Sequence, residues 1–176
     1  MFTIAVFPNM TKTNIRTVFE RVRSFFADKE VRILLPTKEA DLLGYGGMGV
    51  ENIGQYPMDM ALSIGGDGTL LNVCRRIYDS SVPVCGINLG TIGFLVDIEL
   101  TEIESKLQKI LRKEYRIEER SMLSGYVVHR GRKKHKGNAI NDIVVTKGGM
   151  ARMLRFGLDI NNTRVADYKA DGLIVS

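Results

Sequence analysis

Four short apolar runs, at residues 3–7, 32–35, 60–64 and 82–87, alternate over the first hundred residues with segments of helical periodicity. Ile15, Val18, Phe19, Val22, Phe25 and Phe26 form one stripe at helical spacing, with Thr11 or Thr13 placed to cap it. Leu70, Val73, Cys74 and Ile77 form another, and Pro36-Thr37 opens a short helix that ends near Gly44. A strand, a helix and a further strand in succession imply a crossover, and crossovers set neighbouring strands parallel. An open, mostly parallel sheet covered by helices is the expected architecture. Residues 44–57 contain Gly44, Gly46, Gly47 and Gly54, show no period, and are expected to be loop.

The pattern changes after residue 100. Thr101 and Glu104 have the spacing of a capping box, ahead of a helix carrying Ile103, Leu107, Ile110 and Leu111. Strand-like segments follow at 115–118, 123–129, 139–146, 153–161 and 173–175, and their turn signals suggest antiparallel pairing. The 176 residues therefore divide into a Rossmann-like α/β domain over 1–100 and, over 101–176, an incomplete β-rich domain, the start of an antiparallel β-sandwich. The chain stops within the apolar string Gly172-Leu173-Ile174-Val175-Ser176, whereas chain ends usually trail off in polar residues. A piece of a longer protein is the expectation.

Charge and composition exclude several classes. No apolar run approaches the ~18 residues of a membrane span. Residues 1–7 lack a basic lead-in and a small-residue cleavage site, so they read as a strand and not as a signal peptide. Cys74 and Cys85 are too few for a disulfide framework or a metal cluster; in apolar contexts they read as buried thiols, consistent with the cytoplasm. The net charge of +5 comes largely from one run holding His129, Arg130, Arg132, Lys133, Lys134, His135 and Lys136. It reads as a solvated hairpin tip, and with no aromatic residue interleaved to stack on bases, no nucleic-acid partner is expected.

Gly65-Gly66-Asp67-Gly68-Thr69 sits between an apolar strand and an amphipathic helix. In open α/β sheets, ligands bind at the carboxyl ends of strands. Three glycines let the backbone turn sharply and approach a ligand, and the free amides of the helix start favour phosphate. Asp67 conflicts with bare phosphate binding, because a carboxylate repels the ligand unless it engages a metal ion or a hydroxyl. That conflict points to phosphoryl transfer, in which an aspartate orients or deprotonates the attacking hydroxyl. A plain strand-to-helix turn with an aspartate cap is the alternative. No G-x-x-x-x-G-K-[ST] loop is present, and the first strand runs into Pro8-Asn9-Met10 instead of a G-x-G-x-x-G turn.

The string resembles the signature of a kinase superfamily spanning NAD kinases, diacylglycerol and sphingosine kinases, and phosphofructokinases. Asn88-Leu89-Gly90-Thr91-Ile92-Gly93-Phe94-Leu95 resembles the NAD kinase version of the second motif, where lipid kinases show a G-T-x-N-D-F type of string. Ala139-Ile140-Asn141-Asp142-Ile143-Val144 and Tyr168-Lys169-Ala170-Asp171-Gly172-Leu173-Ile174-Val175-Ser176 agree with it. The resemblance implies phosphorylation of the 2′-hydroxyl of the adenosine ribose of NAD, giving NADP, with ATP or polyphosphate as donor. Without a P-loop lysine, a divalent metal ion (Mg²⁺ or Mn²⁺) bridging phosphate oxygens is expected, outside any protein cage.

By the same resemblance, Asp67 is the catalytic carboxylate and Gly68 helps to hold NAD beside it. Asn141 and Asp142 stand where the family has Asn followed by an acidic residue, Asp replacing the commoner Glu. Arg152 falls where a basic residue often touches the ligand, Lys169 where Arg is frequent, and Asp171 where an aspartate reaches NAD. A homodimer or homotetramer is implied, as is a Thr-Pro-Thr-Gly-Ser-Thr-Ala-Tyr segment beyond Ser176. Blander readings use the same residues. Asn141-Asp142 would turn a strand, Asp171-Gly172 would make a hairpin turn, and Arg152 and Lys169 would be solvated charges. Residues 91–95 would pack a helix start, and Met122, Met150 and Met153 would fill the core. A lipid kinase of the same superfamily and an inactive dinucleotide-binding domain are the competing functions.

Overall fold

The computed structural model describes residues 1–90, 93–149 and 151–176, and the expectations for Thr91, Ile92 and Met150 lie outside them. The chain divides into two compact units, 1–119 and 120–176.

The first unit is a five-stranded parallel sheet in the order β3-β2-β1-β4-β5. Its strands are β1 (Phe2–Pro8), β2 (Val31–Pro36), β3 (Gly49–Val50), β4 (Met60–Gly65) and β5 (Val84–Asn88). The helices are α1 (Ile15–Phe26), α2 (Thr37–Leu43), α3 (Asp67–Arg76) and α4 (Ile103–Leu111). Both faces of the sheet are covered, which is why its strands read as continuous apolar runs. Ile4 and Val6 of β1 pack with Val18, Phe19 and Val22 of α1 and Leu107 of α4 in one core. The alternate residues Ala5 and Phe7 face Val73 and Ile77 in the other. Every residue of β4, which lies between β1 and β5, is buried. The sequence order reverses between β1 and β4, and at such a switch point the loops part and leave a crevice at the carboxyl edge.

Gly44 ends α2 with φ +82°, a left-handed turn that suits glycine. Other local expectations give way to tertiary contacts. Neither Thr11 nor Thr13 caps α1: its cap is Asn14, without a side-chain bond, and Thr11 donates to Asn9 instead. The Thr101/Glu104 box does not form. Leu100–Glu102 is a 3₁₀ turn, α4 starts at Ile103, and Glu104 takes a two-pronged ion pair from Arg21 of α1. This pairing, with Ile103, Leu107 and Ile110 in the core, keeps α4 in the first unit, so the units divide after Glu119 and not at residue 100. The glycine-rich 44–57 segment contains β3 and two 3₁₀ turns. No helix among the described residues is long and apolar enough to cross a membrane.

The second unit consists of three antiparallel pairs. β6 (Leu123–His129) pairs with β7 (Arg132–Ala139), β8 (Ile143–Thr146) with β11 (Gly172–Val175), and β9 (Leu154–Ile160) with β10 (Thr163–Ala170). Residues 115–118 form no strand, and β10 is one that periodicity missed. The β6–β7 turn is Arg130-Gly131 and the β9–β10 turn Asn161-Asn162, all with positive φ, as two-residue hairpin turns demand. The basic run therefore starts at the hairpin tip, Arg130-Gly131, and continues along exposed positions of β7. An aromatic residue does meet it, from across the hairpin: Lys133 stands 3.9 Å over the Tyr126 ring, and the His135 ring lies tilted against it with centroids 5.1 Å apart. Met153 is exposed and Met122 half-buried, so neither fills a closed core.

Candidate functional site

The end of β4 and the start of α3 are shaped by contacts that only small residues permit. A Cβ on Gly65 would fall on the Thr69 side chain. Thr69 is held from the far side, where Asn9 Nδ2 donates to its Oγ1 at 3.1 Å. Asn9 is itself fixed, its N–H bonded to the Ile64 carbonyl and its Oδ1 accepting from the Thr11 amide and hydroxyl. The loop after β1 is thereby clipped to the glycine turn after β4.

Gly66 is the N-cap of α3 in extended conformation, and Asp67 is the first helical residue, where a carboxylate sits well with the helix dipole. Its two oxygens accept backbone amides from the second motif: Phe94 N–H to Oδ2 at 2.8 Å and Leu95 N–H to Oδ1 at 3.2 Å. A Cβ on Gly93 would fall on this carboxylate. Residues 93–95 thus fix Asp67, the first residue of α3, and in doing so pack against a helix start, as the blander reading of this string has it. Buried Asn88 anchors the same loop, accepting from the Gly90 amide at 3.1 Å and donating to Glu99 at 3.3 Å. The Leu89 amide adds a bond to the Gly65 carbonyl at 2.6 Å. Phe94 is fully exposed. A side chain on Gly68 would meet nothing within 4 Å, so the turn presents its backbone to open space there.

A cleft of about 690 Å³ opens at the switch point, lined among others by Asn9, Lys12, Lys38, Gly68, Thr69 and Arg75. Arg76 also lines it but is paired with Glu39 at 3.5 Å. The site combines a fixed carboxylate, an accessible glycine turn and an electropositive cleft, the parts that phosphoryl transfer to a hydroxyl requires.

The remaining sequence candidates lie in the second unit. Asn141 and Asp142 are exposed at the bend between β7 and β8. Arg152 is exposed ahead of β9, and Lys169, opposite Arg155 on β10, lines a second cleft of about 460 Å³. Asp171 makes no hairpin turn. It links β10 to β11, which pair with different partners, and a Cβ on Gly172 would fall on the Val145 carbonyl. The Asp171 carboxylate pairs with Lys147 Nζ at 2.8 Å, and its carbonyl accepts the Lys147 amide at 2.9 Å. Asp142 and Asp171 flank opposite ends of the β8–β11 pair, so this unit does not gather them at one point. Sequence reasoning missed Asn9, Lys12 and Lys147, whose contacts are made by the fold and leave no local pattern.

Cys74 and Cys85 are half-buried, and burial pushes both thiols up, Cys85 to about 12.

Residues 12–115 match the family described as ATP-NAD kinase N-terminal domain. The NAD kinase of Moorella thermoacetica is 42% identical over 173 residues, covering 98% of this chain and 55% of the relative. That of Heliobacterium modesticaldum is 36% identical over 177 residues, covering 100% of this chain and 62% of the relative. The crystal structure of yeast NADH kinase complexed with NADH shares the fold at a TM-score of 0.88 and 18% identity, over 99% of this chain and 57% of that one. The chain spans little more than half the length of these relatives. With the family match extending through both glycine motifs and the parallel sheet that carries them, the chain belongs to the NAD kinase family.

Proposed function

We propose that the chain provides the catalytic carboxylate and part of the dinucleotide site of an enzyme that phosphorylates the 2′-hydroxyl of the adenosine ribose of NAD, giving NADP. The observation that carries this reading is the Asp67 carboxylate, fixed by the Phe94 and Leu95 amides at the start of α3. Each of its oxygens retains a lone pair for a hydroxyl. In the proposed step, Asp67 accepts the hydroxyl proton while the ribose oxygen bonds to the terminal phosphorus of ATP. The bond from that phosphorus to the ADP oxygen breaks, and ADP leaves. Gly68 offers open backbone for the dinucleotide, and Asn141, Asp142, Arg152, Lys169 and Asp171 are the proposed contacts from the second unit.

A divalent ion, Mg²⁺ or Mn²⁺, would neutralise charge on the donor phosphates. That ion would be carried on the phosphate oxygens of the donor. Polyphosphate in place of ATP, a homodimer or homotetramer, and a cytoplasmic location belong to the same proposal.

The test is NADP formation from NAD and Mg-ATP, followed by chromatography, with Asp67→Asn as the variant. Turnover should fall at least ~10²-fold with NAD affinity within a few-fold. Near-normal kcat in that variant sinks the assignment.

A further inference from the structure

A phosphoryl-transfer site without a P-loop lysine still needs a cation on the donor phosphates, and we infer that Lys12 supplies it. The inference rests on the kinase reading above and adds to it the residue that grips the donor. The Lys12 backbone is fixed on both sides: its amide bonds to the Asn9 carbonyl at 3.1 Å, and its carbonyl accepts the Ile15 amide at 3.2 Å. Asn9 is in turn bonded to Thr69, so the base of the Lys12 side chain is referenced to the glycine turn. The ammonium group lies 3.7 Å from the position a side chain on Gly90 would occupy. Gly90 follows β5, whereas Lys12 follows β1, and β4 lies between those strands. The Lys12 side chain therefore crosses the carboxyl end of β4, the strand that delivers Gly66, Asp67 and Gly68.

Lys12 makes no ion pair among the described residues, unlike Arg76, which is committed to Glu39. Lys38 and Arg75 line the same cleft with no acidic partner among those residues. Three uncommitted cations in one cleft suit a chain of phosphoanhydride-linked phosphates, whose charge exceeds what one lysine balances. Lys12 is the one that reaches the motif loops, which puts it at the phosphates nearest the transfer. Lys38 and Arg75 hold charge further along the cleft.

The experiment is calorimetric titration of the purified protein with inorganic tripolyphosphate and, separately, with ATP, comparing wild type, Lys12→Met, Lys12→Arg and the remote control Lys113→Met. Lys12→Met should weaken tripolyphosphate binding about 10- to 100-fold, the worth of one charge-assisted contact. Lys12→Arg should recover much of it, Lys113→Met should match wild type, and NAD binding should be unchanged in all. In steady state, Lys12→Met should raise KM for the donor more than it lowers kcat. Tripolyphosphate affinity within twofold of wild type in Lys12→Met overturns the inference. Equal weakening in Lys113→Met also overturns it, by showing general charge attraction only. Failure of wild type to form NADP, with tripolyphosphate binding lost on Lys12→Met, refutes the acceptor assignment and leaves the donor grip standing. A tripolyphosphate loss without an ATP loss overturns Lys12 as the grip on an ATP donor.

Discussion

Gly93→Ala isolates the contact that fixes Asp67. Gly93 does not lie in the left-handed region, so alanine is permitted by its backbone and only the new Cβ matters. That Cβ would overlap the Asp67 carboxylate. To reach an ordinary carbon–oxygen separation of roughly 3.3 Å, the carboxylate must withdraw by about 1 Å. Such a shift breaks the bonds from Phe94 and Leu95, at 2.8 and 3.2 Å. Bonds to a charged acceptor are worth ~1.5–3 kcal/mol each. Asp67 is half-buried, so water replaces part of the loss and a net cost of about 1–2 kcal/mol is expected. For a chain of this size that lowers Tm by roughly 2–8 °C. The catalytic cost is larger, since a misplacement of ~1 Å reduces turnover about 10²-fold. Thermal unfolding and NADP formation measure the two effects, and a double-mutant cycle assigns the cause. In an Asp67→Ala background, Gly93→Ala should be nearly neutral to stability. Wild-type kcat in Gly93→Ala, or an undiminished stability loss in the double mutant, refutes the reasoning.

Three further outcomes follow from the site and its scaffold. The Arg21 hydrogen bonds hold the Glu104 carboxyl below the ordinary glutamate value, so its contribution is full above about pH 4.5 and disappears as pH falls through the lowered value. Glu104→Gln should therefore flatten the acid limb of urea-unfolding stability, by a modest amount because the pair is partly exposed; an unchanged limb contradicts the pairing. With its thiol pushed up to about 12, native Cys85 should resist iodoacetamide at pH 8 and react on unfolding, as counted by mass spectrometry. Excess chelator should abolish phosphoryl transfer while sparing NAD binding, and full activity in chelator refutes the metal requirement.

The parallel sheet was legible because β1, β2, β4 and β5 are buried on both faces and so appear as uninterrupted apolar runs. β3 was not, because Gly49 and Val50 are too few to carry a period. β10 was missed because Thr163, Arg164, Asp167 and Lys169 are exposed and break the apolar alternation, leaving only the Asn161-Asn162 turn as a signal. The Thr101/Glu104 box failed for a different reason: a tertiary partner, Arg21, lies 83 residues away in sequence and outcompetes the local amide. The candidate site divides in the same way. Asp67 and Gly68 stand inside a local string that announces chemistry. The Asn9–Thr69 clip spans 60 residues and the Asp67–Phe94 bond 27, distances at which a single sequence carries no pattern.

The interior position of β4, between β1 and β5, has a kinetic consequence. β1 pairs with β2 on one side and with β4 on the other, in the register Ile4↔Met60. The β4 edge of β1, with Ile4, Ala5, Val6 and Phe7, therefore stays open until the chain has been made past residue 65 and has left the ribosome. At ~5–20 residues per second, the delay after β2 emerges lasts several seconds. Parallel pairing across such a separation is slow even once the partner is available. During that interval an apolar strand edge is exposed to other chains, and its natural cover is a chaperone. The strand that delivers the glycine turn is thus also the one whose arrival closes this edge of β1.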